Sequence, residues 1–238
     1  MRILAMQHDH DSGLDALEAP LRAAGTDLEI WFSNETAAPE RPLEAYDGLI
    51  VLGGIANPDE DAQYPWLTLE RSMIADALRR EVPVLGICLG GQLLAQAAGG
   101  EAFRAPEGPG IGWDEIQATD GHAEDALFGD LPAAFHAFEW HHFCFTPPGD
   151  ATLIYGTRRF NQAFRCGRNA WGTQFHFEAT PETVSDWIDT ARDEAITHGV
   201  DIPNLRATTA QHGPLQVELC HRIAERFVEV VSRYAGAR

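Results

Sequence analysis

The chain has 238 residues, of which 45% are hydrophobic and 22% charged, a globular composition that excludes a largely disordered chain, a collagen-like repeat and a coiled coil. Its 17 basic residues stand against 36 acidic ones for a formal charge of −19, so nucleic acid and anionic membrane surfaces, which recruit proteins through basic patches, are not expected partners. All the basic residues are Arg, and without Lys there is no phosphate-loop lysine, no pyridoxal Schiff base and no catalytic lysine.

The first apolar run, Ile3-Leu4-Ala5-Met6, gives way at Gln7-His8-Asp9-His10-Asp11; it is too short for a signal peptide or a membrane span, and the chain is expected in the cytoplasm. His8 to Asp11 have metal-ligand residue types. A contiguous alternation without a third ligand reads instead as a polar loop at a site mouth, and neither a metal nor another cofactor is expected. Arg2–Gln7, Asp27–Phe32, Gly48–Leu52 and Val84–Ile87 are strand-sized, and several are apolar on both faces, as buried parallel strands are. Between them Leu14, Leu17 and Leu21 fall at helical spacing, with Pro20 a reason for that helix to start late or kink. Leu67, Ile74 and Leu78 mark a second helix running to Arg80. This βαβα order predicts an α/β fold, a doubly wound, mostly parallel sheet with helices on both faces and its active site beyond the carboxyl ends of the strands.

The elbow follows the fourth strand: Val84-Leu85-Gly86-Ile87-Cys88-Leu89-Gly90-Gly91-Gln92 runs from a buried strand into a helix, with Cys in the nucleophile position of a G-x-nucleophile-x-G turn. Glycines two residues on either side remove side chains that would clash across so tight a corner, and the helix start favours a thiolate there. A buried cysteine in a Gly-rich strand end is the plainer alternative. From residue 111 the texture changes to short β-like pieces, Gly112–Ala118, Phe138–Phe145, Thr152–Tyr155, Gln162–Cys166 and Ala170–Phe177, separated by Gly and Pro turns. In the last of these His176 and Glu178 are two apart, so an extended strand puts an imidazole and a carboxylate on one face, base and orienter for Cys88. The earlier strand end Leu52-Gly53-Gly54 is alone only a turn. Beside the elbow, its Gly54 N–H and that of Leu89 make the two donors of an oxyanion hole.

The tail returns to helix. Pro181 opens a helix through His198, and Leu215, Leu219, Ile223, Phe227, Val230 and Val231 form one apolar stripe over 214–234. One domain over 1–238 is expected, with helices 181–198 and 214–234 packed on it; the stripe also suits a second copy, so monomer and homodimer both stay open. Cys144, Cys166 and Cys220 lie far from Cys88 and from one another with no C-x-x-C pair, which indicates neither a zinc ribbon nor a disulfide framework.

The elbow Gly86–Gln92, the Gly53-Gly54 turn and Gln174-Phe175-His176-Phe177-Glu178 resemble the class I (triad-type) glutamine amidotransferase family, whose fold is flavodoxin-like. Tyr64-Pro65-Trp66-Leu67, Ile111-Gly112-Trp113, Trp140-His141, Asn161-Gln162-Ala163-Phe164 and the tail from Thr180 resemble its single-domain bacterial branch, so the likeness covers nearly the whole chain. The resemblance implies Cys88, His176 and Glu178 as the triad, Gly54 and Leu89 as oxyanion donors, and Gln92 as a substrate contact, with Gly53, His141, His142 and Phe143 further candidates around the substrate. Three positions depart from the branch. Phe177 stands where Pro is usual, Gly110 where a Glu commonly precedes Ile-Gly-Trp, and the usual Trp-His-Gly-Asp turn reads Trp140-His141-His142-Phe143. The last two departures are expected around the substrate, where they replace acidic groups.

The expected chemistry is hydrolysis of a γ-glutamyl amide through a γ-glutamyl thioester on Cys88. The substrate is a small γ-glutamyl molecule, either a γ-glutamyl amine or amide or glutamine itself. A glutaminase subunit delivering ammonia to a separate synthetase is the first alternative; a non-catalytic binding or regulatory module is the second.

Overall fold

The computed structural model describes residues 1–237. The chain opens with strand β1 (Arg2–Gln7), helix α1 (Glu18–Ala23), strands β2 (Asp27–Phe32) and β3 (Gly48–Val51) joined through a single 3-10 turn, helix α2 (Trp66–Arg79), strand β4 (Val84–Ile87) and helix α3 (Leu89–Ala97). Seven more strands follow: β5 (Glu101–Arg104), β6 (Gly110–Ala118), β7 (Ala134–His141), β8 (Phe143–Thr146), β9 (Thr152–Gly156), β10 (Asn161–Cys166) and β11 (Ala170–Thr173). The chain then runs through α4 (Pro181–Thr190), α5 (Arg192–Thr197) and α6 (Ile202–Gly236).

Nine strands form one sheet in the order β2-β1-β3-β4-β11-β10-β9-β6-β7, and β5 pairs with β8 separately. The α/β architecture is the predicted one, but the sheet is mixed, with four parallel pairings from β2 to β11 and four antiparallel ones from β11 to β7. The cause lies in the connections: helices cross over between the early strands, whereas the later ones have no crossover helix between them. Alternation along the parallel strands divides the core. Ile3, Ala5, Ile50, Leu85 and Ile87 pack with α1 and α6, while Leu4, Met6, Leu49, Val51 and Val84 pack with α2 and α3 on the other face. Thr173 is level with Ile87 and Gly86 with Val51, so β3, β4 and β11 end side by side and the loops leaving them meet.

Several expected boundaries move. The single strand expected over 138–145 is two, because the chain leaves the large sheet after His141, turns at His142 and pairs as β8 with β5, a strand that no apolar pattern marks. The strand expected over 170–177 stops at Thr173, so His176 and Glu178 sit in the loop beyond it. The helix expected through His198 breaks at Ala191 (φ −108°, ψ 28°) into α4 and α5. The helix expected over 214–234 starts twelve residues earlier, at Ile202, and carries Pro214 inside it. Gly-Pro at 213–214 reads as a helix boundary, yet Gly213 is the point of closest approach to α4, where an added Cβ would stand 2.7 Å from Pro181 Cγ. Leu219, Ile223, Phe227, Val230 and Val231 are buried as one stripe, whereas Leu215 is 45% exposed. Pro20 falls at the third position of α1, within the first turn, whose N–H groups need no intrahelical partner. Among the described residues no helix is long and apolar enough to cross a membrane.

Candidate active site

Cys88 links β4 to α3 with φ 51° and ψ −105°, a conformation that costs on the order of 1–3 kcal/mol for a residue with a side chain. Backbone hydrogen bonds hold it there: Cys88 N–H donates to the Thr173 carbonyl at 2.9 Å, Gly90 N–H to that of Leu52 at 3.2 Å, and Gln92 N–H to Cys88's own carbonyl at 3.0 Å. The glycines are sterically required. A Cβ on Gly86 would stand 2.5 Å from the Gly90 oxygen, one on Gly90 would press into the Val51 carbonyl, and one on Gly91 into that of Thr173. The thiol is left at the first turn of α3, 6% exposed, in the wall of a pocket of about 270 Å³.

Beyond β11 the chain is pinned rather than extended. His176 N–H donates to the Phe138 carbonyl at 2.8 Å, and the Glu178 carbonyl accepts from Ala16 N–H at 3.1 Å. Phe175 and Phe177 both sink into the core, their ring centroids 6.0 Å apart. His176 and Glu178 nevertheless meet, with Nδ1 2.7 Å from Oε1, and the ring lies near enough to Cys88 for the sulfur to act on its charge, while Sγ itself stands 3.7 Å from Gln174 Nε2 and 3.9 Å from the Trp140 carbonyl oxygen. The ring fits because Gly53 has no side chain: a Cβ there would lie 2.8 Å from His176 Cε1. Trp187 closes the other side, edge-on at 4.9 Å and 75°. Burial by itself lowers the His176 pKa, but the negative charge of Glu178 and the Cys88 sulfur outweigh it and hold the imidazole protonated well above its ordinary range.

The Gly53-Gly54 turn rests on His8. Its Nδ1 lies 2.8 Å from the Gly53 carbonyl oxygen and its Nε2 2.9 Å from Glu70 Oε2, and both side chains are fully buried. Two acceptors require an N–H on each nitrogen. Burial lowers the ring's pKa, Glu70 raises it more, and the net shift is upward, towards the imidazolium. Trp66 stacks on the same ring at 4.6 Å, and Asp9 Oδ2 accepts from Ile55 N–H at 3.1 Å. The Gly53–Gly54 peptide is trans, so fixing the Gly53 carbonyl on His8 turns the N–H of Gly54, in the same peptide, the opposite way. Among the described residues no protein acceptor takes the N–H of Gly54 or Leu89, and both residues line the pocket. The quartet expected to be a polar loop is in part a buried brace.

The other predicted residues divide. Gln92, His142 and Phe143 line the pocket, Gln92 with its Nε2 on the Phe143 carbonyl at 2.9 Å. Gly53 spaces the His176 ring instead. His141 contributes to the pocket wall, but its imidazole is turned inward, with Nδ1 2.9 Å from the Phe143 oxygen and Nε2 3.2 Å from Glu139. Two apart on β7, Glu139 and His141 share a face, and Gln162 Nε2 donates to Glu139 beneath them. Gly110 belongs to that buried group rather than to the substrate's surroundings: a Cβ there would stand 2.5 Å from His141 Nε2. Sequence reasoning missed Trp187 and Asp15, which carry no local motif. Asp15, at φ 44°, is pushed up to about 6, chiefly by burial, with nearby Thr183 lowering it and the charge of Glu178 raising it.

Residues 9–189 match the family model "Glutamine amidotransferase class-I". A solved glutamine amidotransferase from Thermotoga maritima is 31% identical and superposes with a TM-score of 0.87 over 96% of this chain and 98% of its own. A subunit of the glutamine-hydrolyzing GMP synthase of Haloquadratum walsbyi is 30% identical over 55% of this chain and 62% of its own length. Gamma-glutamyl peptidase 3 of Arabidopsis thaliana is 28% identical over 63% of this chain and 61% of its own. The chain thus spans less than two thirds of either of those two relatives.

Two outcomes follow from this geometry. Gly90→Ala is expected to lower stability by at least about 2 kcal/mol, read as a shifted urea midpoint, because the new methyl meets backbone that cannot move aside. Gly149→Ala, with nothing within 4 Å, serves as the control and is expected to stay within about 0.5 kcal/mol of the parent. Glu178→Gln removes the anion that favours the charged imidazole, so the His176 titration followed by NMR is expected at lower pH than in the parent; an unchanged titration would show that Glu178 does not set it.

Proposed function

Since the chain belongs to the class I glutamine amidotransferase family, we propose that it hydrolyses γ-glutamyl amide bonds through a thioester on Cys88, acting as a free hydrolase of γ-glutamyl amines or amides. The observation that carries this reading is one buried imidazole hydrogen-bonded to Glu178 at 2.7 Å and lining the same pocket as the Cys88 sulfur on its strained elbow. The sulfur, whose proton His176 already holds, attacks the γ-carbonyl carbon. The carbonyl π electrons move to oxygen, where Gly54 and Leu89 N–H groups receive the charge. The C–N bond then breaks as His176 returns the proton to the departing amine. Water, deprotonated by the same imidazole, attacks the thioester; the C–S bond breaks, glutamate leaves, and the imidazole keeps the proton, which restores the starting pair. Glu178 holds the ring's tautomer and offsets its charge.

His8 is a positioning residue in this scheme, because its bond to the Gly53 oxygen aims the Gly54 N–H. On the leaving-group side, His142 and Phe143 replace the family's small and acidic residues and leave the pocket suited to a substituted amine. The gamma-glutamyl peptidase relative supports that substrate class. The second reading, a glutaminase supplying ammonia to a separate synthetase, draws its support from the GMP synthase relative.

Assays of the purified protein against glutamine and a panel of γ-glutamyl alkyl amides, aryl amides and peptides separate the two. A kcat/KM for the best substituted amide at least about tenfold above that for glutamine, about 1.4 kcal/mol in transition-state binding, is expected; the reverse order selects the glutaminase. Cys88→Ala is expected to lose at least about 10³ in turnover, and undiminished hydrolysis by it would end the thioester mechanism. Replacing the brace as a pair, His8→Leu with Glu70→Leu, strands no buried charge. That double variant is expected to lose about 10²–10³ in kcat with KM little changed and the melting temperature retained; a loss under about twofold would show that the turn holds its own orientation.

A further inference from the structure

The rim of the same pocket holds a second group of ligating side chains, away from the sulfur and its imidazole. The chain leaves β7 at His141 and turns at His142 towards β8, which brings the His142 imidazole against α5. Glu194 lies on α5 and His198 is its C-cap, four residues on, so the two project from one helix face. His142 Nε2 stands 2.7 Å from Glu194 Oε1, and the rings of His142 and His198 meet edge-on with centroids 5.6 Å apart. One nitrogen from each imidazole and one carboxylate oxygen all lie within 4.8 Å of one another.

We propose that His142, Glu194 and His198 form a three-ligand site for a divalent transition-metal ion of the zinc type at the mouth of the pocket. Two imidazoles with one carboxylate are donors for a borderline ion, whereas magnesium and calcium require sets built from oxygen. Ligand atoms around a tetrahedral ion with bonds of about 2.0–2.2 Å stand about 3.3 Å apart. The His142–Glu194 contact therefore opens slightly and His198 closes in. The side chains have that freedom, His142 and Glu194 being 30% and 37% exposed and His198 more open still. Three protein ligands leave a fourth position free. His142 is also where the sequence departs from the Gly usual in its branch, so the site belongs to this chain's own residues.

Because His142 and Glu194 line the pocket that Cys88 also lines, a donor on the leaving group, such as the carboxylate of a γ-glutamyl amino acid, can complete the coordination. That consequence rests on the hydrolase reading; the ion site does not. The test is zinc binding, measured by calorimetry in a Cys88→Ala background, which removes the thiolate that would itself bind zinc. Saturation at a single ion per chain is expected, with affinity about tenfold or more weaker when His142→Ala or His198→Ala is added. His136→Ala, which disturbs a separate pair of rings stacked on each other at 4.1 Å, is expected to bind as the background does. An anomalous difference peak among His142, Glu194 and His198 in zinc-soaked crystals supports the site. Zinc affinity unmoved by His142→Ala and His198→Ala, or a peak at His136–His212 or elsewhere, overturns it. Thermal melts of the metal-free variants against the Cys88→Ala background, the added changes all falling at partly or fully exposed side chains, establish that any loss is of ligands and not of fold.

Discussion

The close approach of two backbones at the start of α3 is the constraint on which the rest depends. The Val51 and Thr173 carbonyls press against the first turn of that helix from β3 and β11, so only glycine fits at 90 and 91, and Gly86 must clear the Gly90 oxygen behind them. This contact forces Cys88 into positive φ and lifts its side chain out of the sheet. It also sets the distance between three strand ends, and therefore between the sulfur, the Gly53-Gly54 turn and the loop that bears His176. A looser junction would let the cysteine relax to ordinary dihedrals and swing away from the imidazole.

Two buried histidine–glutamate pairs flank this junction, and the same electrostatics govern both. Burial disfavours each imidazolium, and a carboxylate at hydrogen-bond distance more than restores it. Their consequences differ because their second partners differ. His8 spends its other nitrogen on a carbonyl and so orients a peptide, whereas His176 faces a sulfur that can exchange a proton with it. A rigid brace and a proton carrier arise from one pairing of residue types.

The change from parallel to antiparallel pairing at β11 divides the labour of the sheet. Its parallel half ends in the elbow and the glycine turn, where backbone groups face the pocket. Its antiparallel half supplies bulky and titratable walls, and the sharpest exit from it, between β7 and β8, leaves His142 on the rim against α5. Side chains that shape the pocket's outer part thus come from turns whose paths depend on two sheets at once.

What the sequence determined by itself was whatever one stretch of chain dictates about itself: the four parallel strands, α2, the apolar stripe of α6, and, at the elbow, the clearance of Gly86 from the Gly90 oxygen four residues on. Cys88, His176, Glu178 and Gly54 stood out through local patterns of the same kind, even though the loop past Thr173 is not the extended strand that made His176 and Glu178 a pair. Tertiary structure alone decided what lies far apart in sequence. Glu70 reaches His8 across 62 residues and Glu194 reaches His142 across 52, Asp15 comes to rest beside Glu178, and Gly110 yields its space to Glu139 and His141. Periodicity and spacing report which way a side chain points along its own element; whether a charge, a ring or an empty space meets it depends on the other elements packed there, and no local pattern encodes that.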